Sequence, residues 1–294
     1  WREHAERPLH SVARGPSDAD SPTVLATKVL FKADFANAFN RVNRTSMLEA
    51  VHKLMPQLQR HAVCAYGSST RLRFGDAWLA SSAGVHQGDP LGPLFFSLAV
   101  VELSRGMRQH LAHSGLRLEF ESWFLDDGCF GGSIDAVRAA VDYIVDEGPA
   151  LGLFLNASKC EIVGDPAFRD ELTDHFGRLA TVTSWEHWLL LGTPCGAPAA
   201  IDAFLNRVAD NAVRKTRLVS ALPGSHVTYA LLRYCCGFSL GVYYMRSCGP
   251  NDAIWQRVLG VSPACRMRVE LPVRLGGLGF RPLVPHAPFA YIAA

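Results

Sequence analysis

Apolar and polar residues alternate with a period of two around residues 116–130. Charged and apolar side chains alternate over 116–120, an aromatic-rich run follows at 123–125, and the apolar pattern resumes at Cys129. Alternation on both sides of Asp126-Asp127-Gly128 predicts a β-hairpin with two carboxylates at its tip. Adjacent carboxylates repel each other unless a cation lies between them, which favours a hard divalent metal such as Mg²⁺. A solvated Asp-Asp pair at an ordinary Asp-Gly turn needs no metal, so the pattern alone leaves both interpretations open.

The residues before this hairpin predict one strand and two helices. Residues 23–34 are rich in Val, Leu and Phe and predict a strand that ends at Asp34. Ser46 with Glu49 three residues later resembles a capping box, and apolar residues follow it at helical spacing. A second helix is predicted to begin at Pro56 and to extend to about residue 66.

A further hairpin and a loop rich in Gly and Pro come next. Residues 71–74 and 77–80 flank a Gly-Asp pair and predict a hairpin. The loop at 84–93 opens directly onto an apolar stretch, 94–107, that predicts a helix. Glycines allow the backbone to approach a ligand closely, and the helix N-terminus behind them favours anionic groups. An ordinary connector can have the same composition, so both interpretations of the loop stay open.

The remaining pattern changes from mixed to helical. A helix is predicted at 134–147, and strands are predicted at 151–163 and 188–191. From residue 200 onwards the apolar spacing predicts helices, chiefly at 201–222 and 227–245. The order of elements is therefore a mixed α/β part followed by a helical part.

The distribution of charge is more informative than the total. The 294 residues are 49% hydrophobic and 19% charged, as is typical of a globular chain, and the formal net charge is +2. Residues 200–294 contain eleven Arg or Lys but four Asp or Glu, so this part is basic and the rest is acidic. A catalytic part joined to a part that holds a polyanion would have this distribution, and so would two ordinary solvated surfaces.

Cysteine usage and the lack of visible targeting signals predict an intracellular protein, cytoplasmic or nuclear. The eight Cys residues form no Cys-x-x-Cys pair, which argues against a zinc module and favours a reducing compartment. No signal peptide is visible. The helix predicted at 227–245 is apolar enough to consider as a membrane span, but Arg233 in its middle favours a buried helix. The sequence begins at Trp1 rather than Met, so we expect a fragment or a processed piece.

Taken in order, the motifs resemble those of a reverse transcriptase, most closely the non-LTR retrotransposon type. The matching segments are the first metal-binding motif (31–42), the template and nucleotide loop (84–93), the aromatic-x-Asp-Asp box (124–127), the lysine motif (153–160), the primer-grip turn (189–192) and a downstream stretch (271–279). Each motif is short, and it is their common order from about residue 24 to the end that carries the resemblance.

The resemblance implies an α/β (α+β) polymerase palm with an antiparallel sheet, followed by a mostly helical thumb and C-terminal region. The palm would occupy 23–199, with residual fingers elements around 45–80, and the thumb and C-terminal extension 200–294. The family's basic fingers motifs, which bind the incoming triphosphate, have no match before the first strand. Residues 1–22 are therefore expected to be disordered or a fingers remnant. We expect the chain alone to extend a primer slowly or not at all.

The implied chemistry is a two-metal nucleotidyl transfer that uses Mg²⁺, with Mn²⁺ possible in its place. The catalytic residues would be Asp34, Asp126, Asp127 and Lys159, with Lys159 protonating the departing pyrophosphate. The carbonyl of Phe35 is an implied further metal ligand. Without the resemblance, Asp34 would be interpreted as a helix cap or turn residue and Lys159 as a solvated charge.

The resemblance also implies contacts to nucleotide and nucleic acid. Phe39 would block a 2′-hydroxyl, although alone it would be interpreted as a core residue, and Gln87, Gly88 and Lys159 would contact the nucleotide. The primer and template would contact Leu190, Leu191, Gly192 and four basic residues of one predicted helix, Arg207, Arg214, Lys215 and Arg217. An exposed amphipathic helix would carry the same four charges, so this assignment has an alternative.

The implied function is that of an RNA-directed DNA polymerase, a nucleotidyltransferase acting on an RNA template, a DNA primer and deoxynucleoside triphosphates, with no membrane partner. One alternative is a catalytically inactive or domesticated fragment that binds nucleic acid without synthesis. Another is a two-metal phosphodiesterase, which usually needs more acidic or His side chains near the metals than this chain offers.

Overall fold

Strand β1 (Lys28–Asp34) lies in the middle of a five-stranded sheet in the computed structural model, which describes residues 28–236 and 238–248. The other strands of the sheet are β4 (Phe120–Phe124), β5 (Asp127–Ser133), β6 (Glu161–Gly164) and β7 (Thr181–Ser184). Their order is β4-β5-β1-β6-β7, and every pairing is antiparallel except β6 with β7. Expectations for residues 1–22 and for the stretch 271–279 lie outside the described residues.

Helices cover this sheet and connect its strands. In chain order they are α1 (Ala38–Arg41), α2 (Arg44–Leu54), α3 (Gln59–Tyr66), α4 (Gly92–His113), α5 (Ile134–Glu147) and α6 (Arg169–Phe176), with short 3₁₀ turns at Pro56–Leu58, Gly148–Leu151 and Pro166–Phe168. Helix α5 packs on β1 and β5, α6 packs on β6 and β7, and α4 packs against α2 and α5. A separate hairpin, β2 (Thr70–Phe74) with β3 (Ala77–Ser81), has the Gly75-Asp76 turn that the sequence predicts.

Aromatic packing fixes how β1 and β5 are aligned. Phe31 and Phe130 are register partners on these strands, both are fully buried, and their rings stack with centroids 5.4 Å apart. The ring of Phe176 lies 6.1 Å from that of Phe31 and closes the core on the α6 side. Because side chains alternate between the faces of a strand, a slip of one residue would expose this aromatic pair, so the core specifies the register.

The described residues divide into two compact units, with the boundary between Ser184 and Trp185. In the second unit, the described elements are a hairpin of β8 (His187–Leu190) and β9 (Thr193–Gly196), then α7 (Pro198–Ser220), α8 (Ser225–Leu231), a π-helical turn (Leu232–Cys236) and α9 (Phe238–Ser247). Its small core contains Leu205, Ala209, Ala212 and Met245. The predicted fold class is confirmed, since a largely antiparallel α/β part precedes a helical part. No helix in the described part of the chain has the length and apolar character needed to cross a membrane.

Three local predictions are wrong for identifiable reasons. Helix α2 is capped by Asn43, whose side-chain oxygen accepts from the amides of Thr45 and Ser46 at 2.9 and 3.3 Å, so Ser46 and Glu49 form no capping box. The stretch 227–245 is not one regular helix, because the π-helical turn interrupts it.

The third wrong prediction is the continuous strand at 151–163. The amides of Lys159 and Cys160 both donate to the carbonyl of Asn156, at 2.8 and 2.9 Å, which forms a turn, and β6 begins only at Glu161. The leucines before this turn occupy odd-numbered positions and Ile162 after it an even-numbered one, so the alternation changes phase across residues 156–159, and this change is the sign of the turn in the sequence. The turn carries Lys159 to the end of β1, which matters for the site.

Truncating the buried ring of Phe31 tests the importance of this core. We expect Phe31→Ala to lower the free energy of unfolding by about 3–5 kcal/mol, the usual cost of such a cavity, as measured by urea denaturation. The matched control is Phe74→Ala on the β2–β3 hairpin, where the ring is 75% exposed and the change should stay within about 0.5 kcal/mol. Similar losses for the two variants would contradict this account of the core.

Candidate active site

Three carboxylates meet where β1 ends and β5 begins. Asp34 is the last residue of β1 and Asp127 the first residue of β5, and the two are direct cross-strand partners. Directly opposed residues of an antiparallel pair project from the same face, so these two side chains are neighbours. Asp126 precedes Asp127 in the turn that joins β4 to β5, and it is therefore at the hairpin tip, as predicted.

The turn itself differs from the predicted Asp126-Asp127-Gly128 turn. Phe124 pairs with Asp127, so the two turn residues are Leu125 and Asp126, and Leu125 has the positive φ of 57°. Gly128 lies in β5, where a Cβ atom would approach the Trp123 ring to 2.5 Å. The glycine is therefore needed for packing against the indole and not for the turn.

The electrostatics of this cluster are unfavourable for three charged carboxylates. Burial raises the pKa of Asp127, and the neighbouring charges of Asp126 and Asp34 raise it further, while Lys159 and Lys32 act in the opposite direction. The Oδ1 atom of Asp34 is buried and has no hydrogen-bond partner among the described residues. A buried carboxylate oxygen without a donor is costly, which makes this atom a candidate ligand for a cation.

The turn at 156–160 holds Lys159 beside the cluster. Its ammonium group lies 3.6 Å from Oδ2 of Asp34, and the Lys159 side chain is 66% exposed. The amide of Asn156 donates to the carbonyl of Asp34 at 2.8 Å, which fixes the turn to the end of β1. Lys32 is engaged elsewhere, in a 2.9 Å ion pair with Glu161. Lys159 is thus the cation placed directly on Asp34.

The backbone near Phe35 extends the sheet by one isolated bridge. Phe35 is buried, its ring stacks on Trp123 with centroids 6.0 Å apart, and it pairs with Leu155. The amide of Ala36 donates to the carbonyl of Phe154 at 2.8 Å. Whether the carbonyl of Phe35 binds a metal stays a prediction.

The donor set suits a hard divalent cation in its chemistry. Carboxylate oxygens are the ligands that Mg²⁺ and Mn²⁺ prefer, and the orphaned Oδ1 of Asp34 lies among them. Within residues 28–236 and 238–248, no group of three or more His, Cys, Asp or Glu side chains is arranged to hold a metal ion. The chemistry of the donors therefore fits a hard cation, while their positions among the described residues do not form a ready site of three ligands.

A cleft of about 360 Å³ adjoins the cluster through Asp126. Phe39 lines it from the side of α1, and Gln87 and Gly88 line it from the loop before α4. The Phe39 ring is partly buried and stacks on Phe96 with centroids 4.4 Å apart. Gln87 and Gly88 are exposed, so the structure brings four predicted site residues, Phe39, Gln87, Gly88 and Asp126, to one open cleft.

Several residues of this region give no signal in the sequence pattern. Arg44 is a buried charged residue, and its guanidinium bonds to the residues around the loop that holds Gln87. Tyr66 ends α3, and its hydroxyl donates to the carboxylate of Asp89. Asp89 lies inside the Gly- and Pro-rich loop, which is the one feature that could have drawn attention to it. Hydrophobic periodicity does not identify the long-range contacts of Arg44 and Tyr66.

The second unit contains the predicted primer-grip residues. Leu190 ends β8, and Leu191 and Gly192 form the tight turn to β9 with φ angles of 49° and 81°. The Tyr243 hydroxyl donates to the carbonyl of Leu191 and lies 3.0 Å from the Thr193 hydroxyl. This turn is therefore held by α9 within its own unit.

The predicted basic residues share one exposed side of α7. Arg207, Arg214, Lys215 and Arg217 are all exposed. With 100° per residue, Arg207 and Arg214 lie opposite the buried face formed by Leu205, Ala209 and Ala212, and Lys215 and Arg217 lie on either side of them. Arg207 also covers the Phe204 ring at 5.6 Å, and Arg214 donates to Asn211 at 2.9 Å. The basic side thus faces away from the core of its unit.

Comparison with solved structures gives telomerases among the similar chains. Apo telomerase from Candida tropicalis has a TM-score of 0.49 and 12% identity, over 92% of this chain and 48% of that chain. Telomerase from the same organism in complex with a TWJ fragment of telomeric RNA has the same score and identity, over 85% and 40%. Apo C. tropicalis telomerase truncated from its C-terminal domain has a TM-score of 0.41 and 14% identity, over 49% and 32%. This chain spans between about a third and a half of their lengths.

A comparison with curated proteins gives no match. The family model described as reverse transcriptase (RNA-dependent DNA polymerase) matches residues 7–182. The match ends just before the first compact unit ends, at Ser184, and it includes the three carboxylates, Lys159 and the cleft. Because this match covers more than half of the sequence, the chain belongs to the reverse transcriptase family.

Proposed function

We propose that this chain is the RNA-directed DNA polymerase domain of a retrotransposon-like element of the non-LTR type. The observation that carries the proposal is the meeting of Asp34 and Asp127 as cross-strand partners, with Asp126 beside them at the edge of the cleft. Family membership makes nucleotidyl transfer the expected reaction class. The order of the sequence motifs, from the first metal motif to the primer-grip turn, supports the non-LTR assignment.

The carboxylates of Asp34, Asp126 and Asp127, with the carbonyl of Phe35, would hold the metal ions. Two bound divalent cations, Mg²⁺ or Mn²⁺, supply positive charge that stabilises the attacking and departing oxygens of an in-line phosphoryl transfer. The protein's contribution is the fixed antiparallel register, which keeps the acidic side chains together before any ligand binds.

Lys159 would have two roles. It is the counter-charge of Asp34, at 3.6 Å. Its exposed ammonium group would also donate a proton to the departing pyrophosphate. Its exposure and its long flexible stem suit a group that exchanges partners.

The cleft would take the incoming deoxynucleoside triphosphate. Phe39 would lie beneath the sugar and exclude a 2′-hydroxyl, since its ring is held by Phe96. Gln87 and Gly88 are exposed in the same cleft, where Gly88, which has no Cβ, would let the nucleotide approach the backbone closely. The surrounding residues 23–199 would form the palm, with residual fingers elements around 45–80.

The second unit would contact the primer and the RNA template. The turn at Leu190, Leu191 and Gly192 would support the primer end, and the basic side of α7 in the thumb region, 200–294, would follow the phosphate backbone. Phosphate contacts of this kind position a duplex without reading its sequence.

One observation favours a second candidate, a catalytically inactive fragment that binds nucleic acid. Asp34 is paired with Lys159, and the described residues contain no ready group of three metal ligands. Such a fragment would bind a primer–template duplex without extending it in Mg²⁺ or Mn²⁺. The first prediction below separates the two candidates.

Removing either of two carboxylates should abolish synthesis. With an RNA template and DNA primer, we expect extension by the unmodified chain to fall about a thousandfold or more in Asp34→Asn and in Asp126→Asn, because both would contribute to charge stabilisation. The matched control is Glu49→Gln on the exposed side of α2, which should keep its activity. Because the basic fingers motifs have no match in this chain, the variants are also compared with the upstream fingers restored, and duplex binding without extension even then would establish the inactive candidate instead.

Shortening Phe39 should relax the choice of sugar. Phe39→Val would leave room for a 2′-hydroxyl, so we expect ribonucleotide incorporation to rise by about tenfold or more relative to deoxynucleotide incorporation. The partly buried Phe168, changed to Val, serves as a control for a general loss of packing. An unchanged sugar preference in Phe39→Val would remove the gate assignment and leave the polymerase assignment intact.

Neutralising α7 should reduce the salt dependence of duplex binding. We expect the change of both Arg214 and Arg217 to Gln to make the slope of log K for duplex binding against log[salt] less negative by about 1.8. Each lost phosphate contact accounts for about 0.9 of this change. The matched control changes two exposed arginines of the first unit, Arg105 and Arg138, to Gln. Equal slopes for the two double variants would favour the ordinary solvated helix.

A further inference from the structure

The loop that carries Gln87 and Gly88 is hydrogen-bonded to the segment that carries Phe39, and both segments line the cleft. The amide of Gly84 donates to the carbonyl of Val42 at 2.9 Å, and the amide of Val85 donates to that of Phe39 at 2.7 Å. Gly84 has φ +70°, and a Cβ atom there would meet the backbone of Asn40 at 2.5 Å. The base of the loop therefore requires glycine and follows the position of the Phe39 segment.

Arg44 adds a side-chain anchor to this base. The residue is 6% exposed, and its guanidinium donates to the carbonyls of Gly84 and Ser81, at 2.9 and 2.7 Å, and to the Ser81 hydroxyl at 2.8 Å. It also lies 3.3 Å from Nε2 of His86. Burial lowers the pKa of Arg44. A buried guanidinium is retained at such a position only when its donors are satisfied, as they are here.

Tyr66 anchors the far side of the exposed segment. Its hydroxyl accepts from the amide of His86 at 3.2 Å and donates to the carboxylate of Asp89. Its ring stacks on the His86 ring at 4.8 Å, and the Arg44 guanidinium covers it at 5.4 Å. Burial and the hydrogen bond to Asp89 raise the pKa of Tyr66 to about 12, so the phenol keeps its proton at neutral pH.

Asp89 links the Tyr66 hydroxyl to the start of helix α4. Its other oxygen, Oδ1, accepts from the amide of Leu91 at 2.9 Å, just before α4 begins. Hydrogen bonds from Tyr66 and Leu91 hold the pKa of Asp89 below its usual range, against the opposing effect of burial. Asp89 is thus a charged acceptor fixed on both sides.

Gln87 and Gly88 are therefore the two exposed residues between two anchored ones, His86 and Asp89. We propose that Arg44 and Tyr66 are positioning residues that fix this two-residue segment against the cleft and so set its affinity for the incoming nucleotide. The inference rests on the proposed function, in which Gln87 contacts a deoxynucleoside triphosphate. Neither Arg44 nor Tyr66 lines the cleft itself, so both act through the loop.

The test uses two conservative changes in the full 294-residue chain. Tyr66→Phe keeps the ring but removes the hydroxyl, and Arg44→Lys keeps the charge but loses the forked donors. Matched controls are Tyr143→Phe, a partly buried phenol beside α4, and Arg105→Lys, an exposed arginine on that helix. Gln87→Ala reports on the proposed function itself.

Two readouts separate positioning from general stability. Hydrogen–deuterium exchange of the amides at 85–91 measures the anchoring without any need for catalysis, and we expect faster exchange there, but not in β1 or α5, for Tyr66→Phe and Arg44→Lys. Primer extension should give a KM for the deoxynucleoside triphosphate that is about three- to tenfold higher, the range expected for one lost hydrogen bond of ordinary strength, with kcat changed less than twofold. The control variants should match the unmodified chain in both readouts.

Two results would overturn the proposal, and they differ. In the first, Gln87→Ala raises the KM, but Tyr66→Phe and Arg44→Lys have the same exchange rates and the same KM as the unmodified chain. This result would refute the positioning role and leave the proposed function standing. In the second, Gln87→Ala has the same KM as the unmodified chain. This result would show that the loop does not bind the nucleotide, and it would refute both that part of the proposed function and the positioning role.

Discussion

The antiparallel register between β1 and β5 is the constraint on which the rest of the structure depends. It places Phe31 opposite Phe130 in the core and, three residues further along β1, Asp34 opposite Asp127 where the two strands end. Both pairs belong to one continuous register, and because side chains alternate between the faces of a strand, the acidic pair lies on the face opposite the aromatic pair. Burial of the aromatic pair therefore stabilises the same register that forces two carboxylates together.

That forced meeting of acidic groups explains the surrounding charges. Repulsion among the carboxylates of Asp34, Asp126 and Asp127 destabilises the fold, and the positive charge of Lys159 on the neighbouring turn partly offsets it. Groups held against their electrostatic preference are typical of sites where a ligand supplies the missing charge. The buried, unpartnered oxygen of Asp34 is the local sign of this arrangement.

The sequence predicts the elements of this site better than the contacts that support it. The helix predicted from 134 to about 147 is present as Ile134–Glu147, and the structure shows that Ser133 caps its start. Asp126 at the hairpin tip was likewise accessible from local alternation. In contrast, the strand prediction at 151–163 missed the turn at 156–160, although the apolar residues change from odd-numbered positions before it to even-numbered ones after it.

The contacts of Arg44 and Tyr66 that support the loop cannot be predicted from the sequence, for a different reason. Arg44 bonds to residues about 40 positions away, and Tyr66 to residues about 20 positions away, so neither leaves a local pattern. An Arg at the first position of a helix normally suggests a solvated charge, and only the tertiary structure makes it a buried one. Family resemblance identified Gln87, but how the loop is held is a property of the fold.

Direct binding of Mn²⁺, followed by electron paramagnetic resonance without primer or nucleotide, tests the central claim that the carboxylates at the end of β1 and β5 form a cation site. The account predicts that the 294-residue chain binds Mn²⁺, that Mg²⁺ competes for the same site, and that Asp34→Asn and Asp126→Asn weaken binding severely while Glu49→Gln does not. Mn²⁺ binding of equal affinity in all four proteins would contradict it.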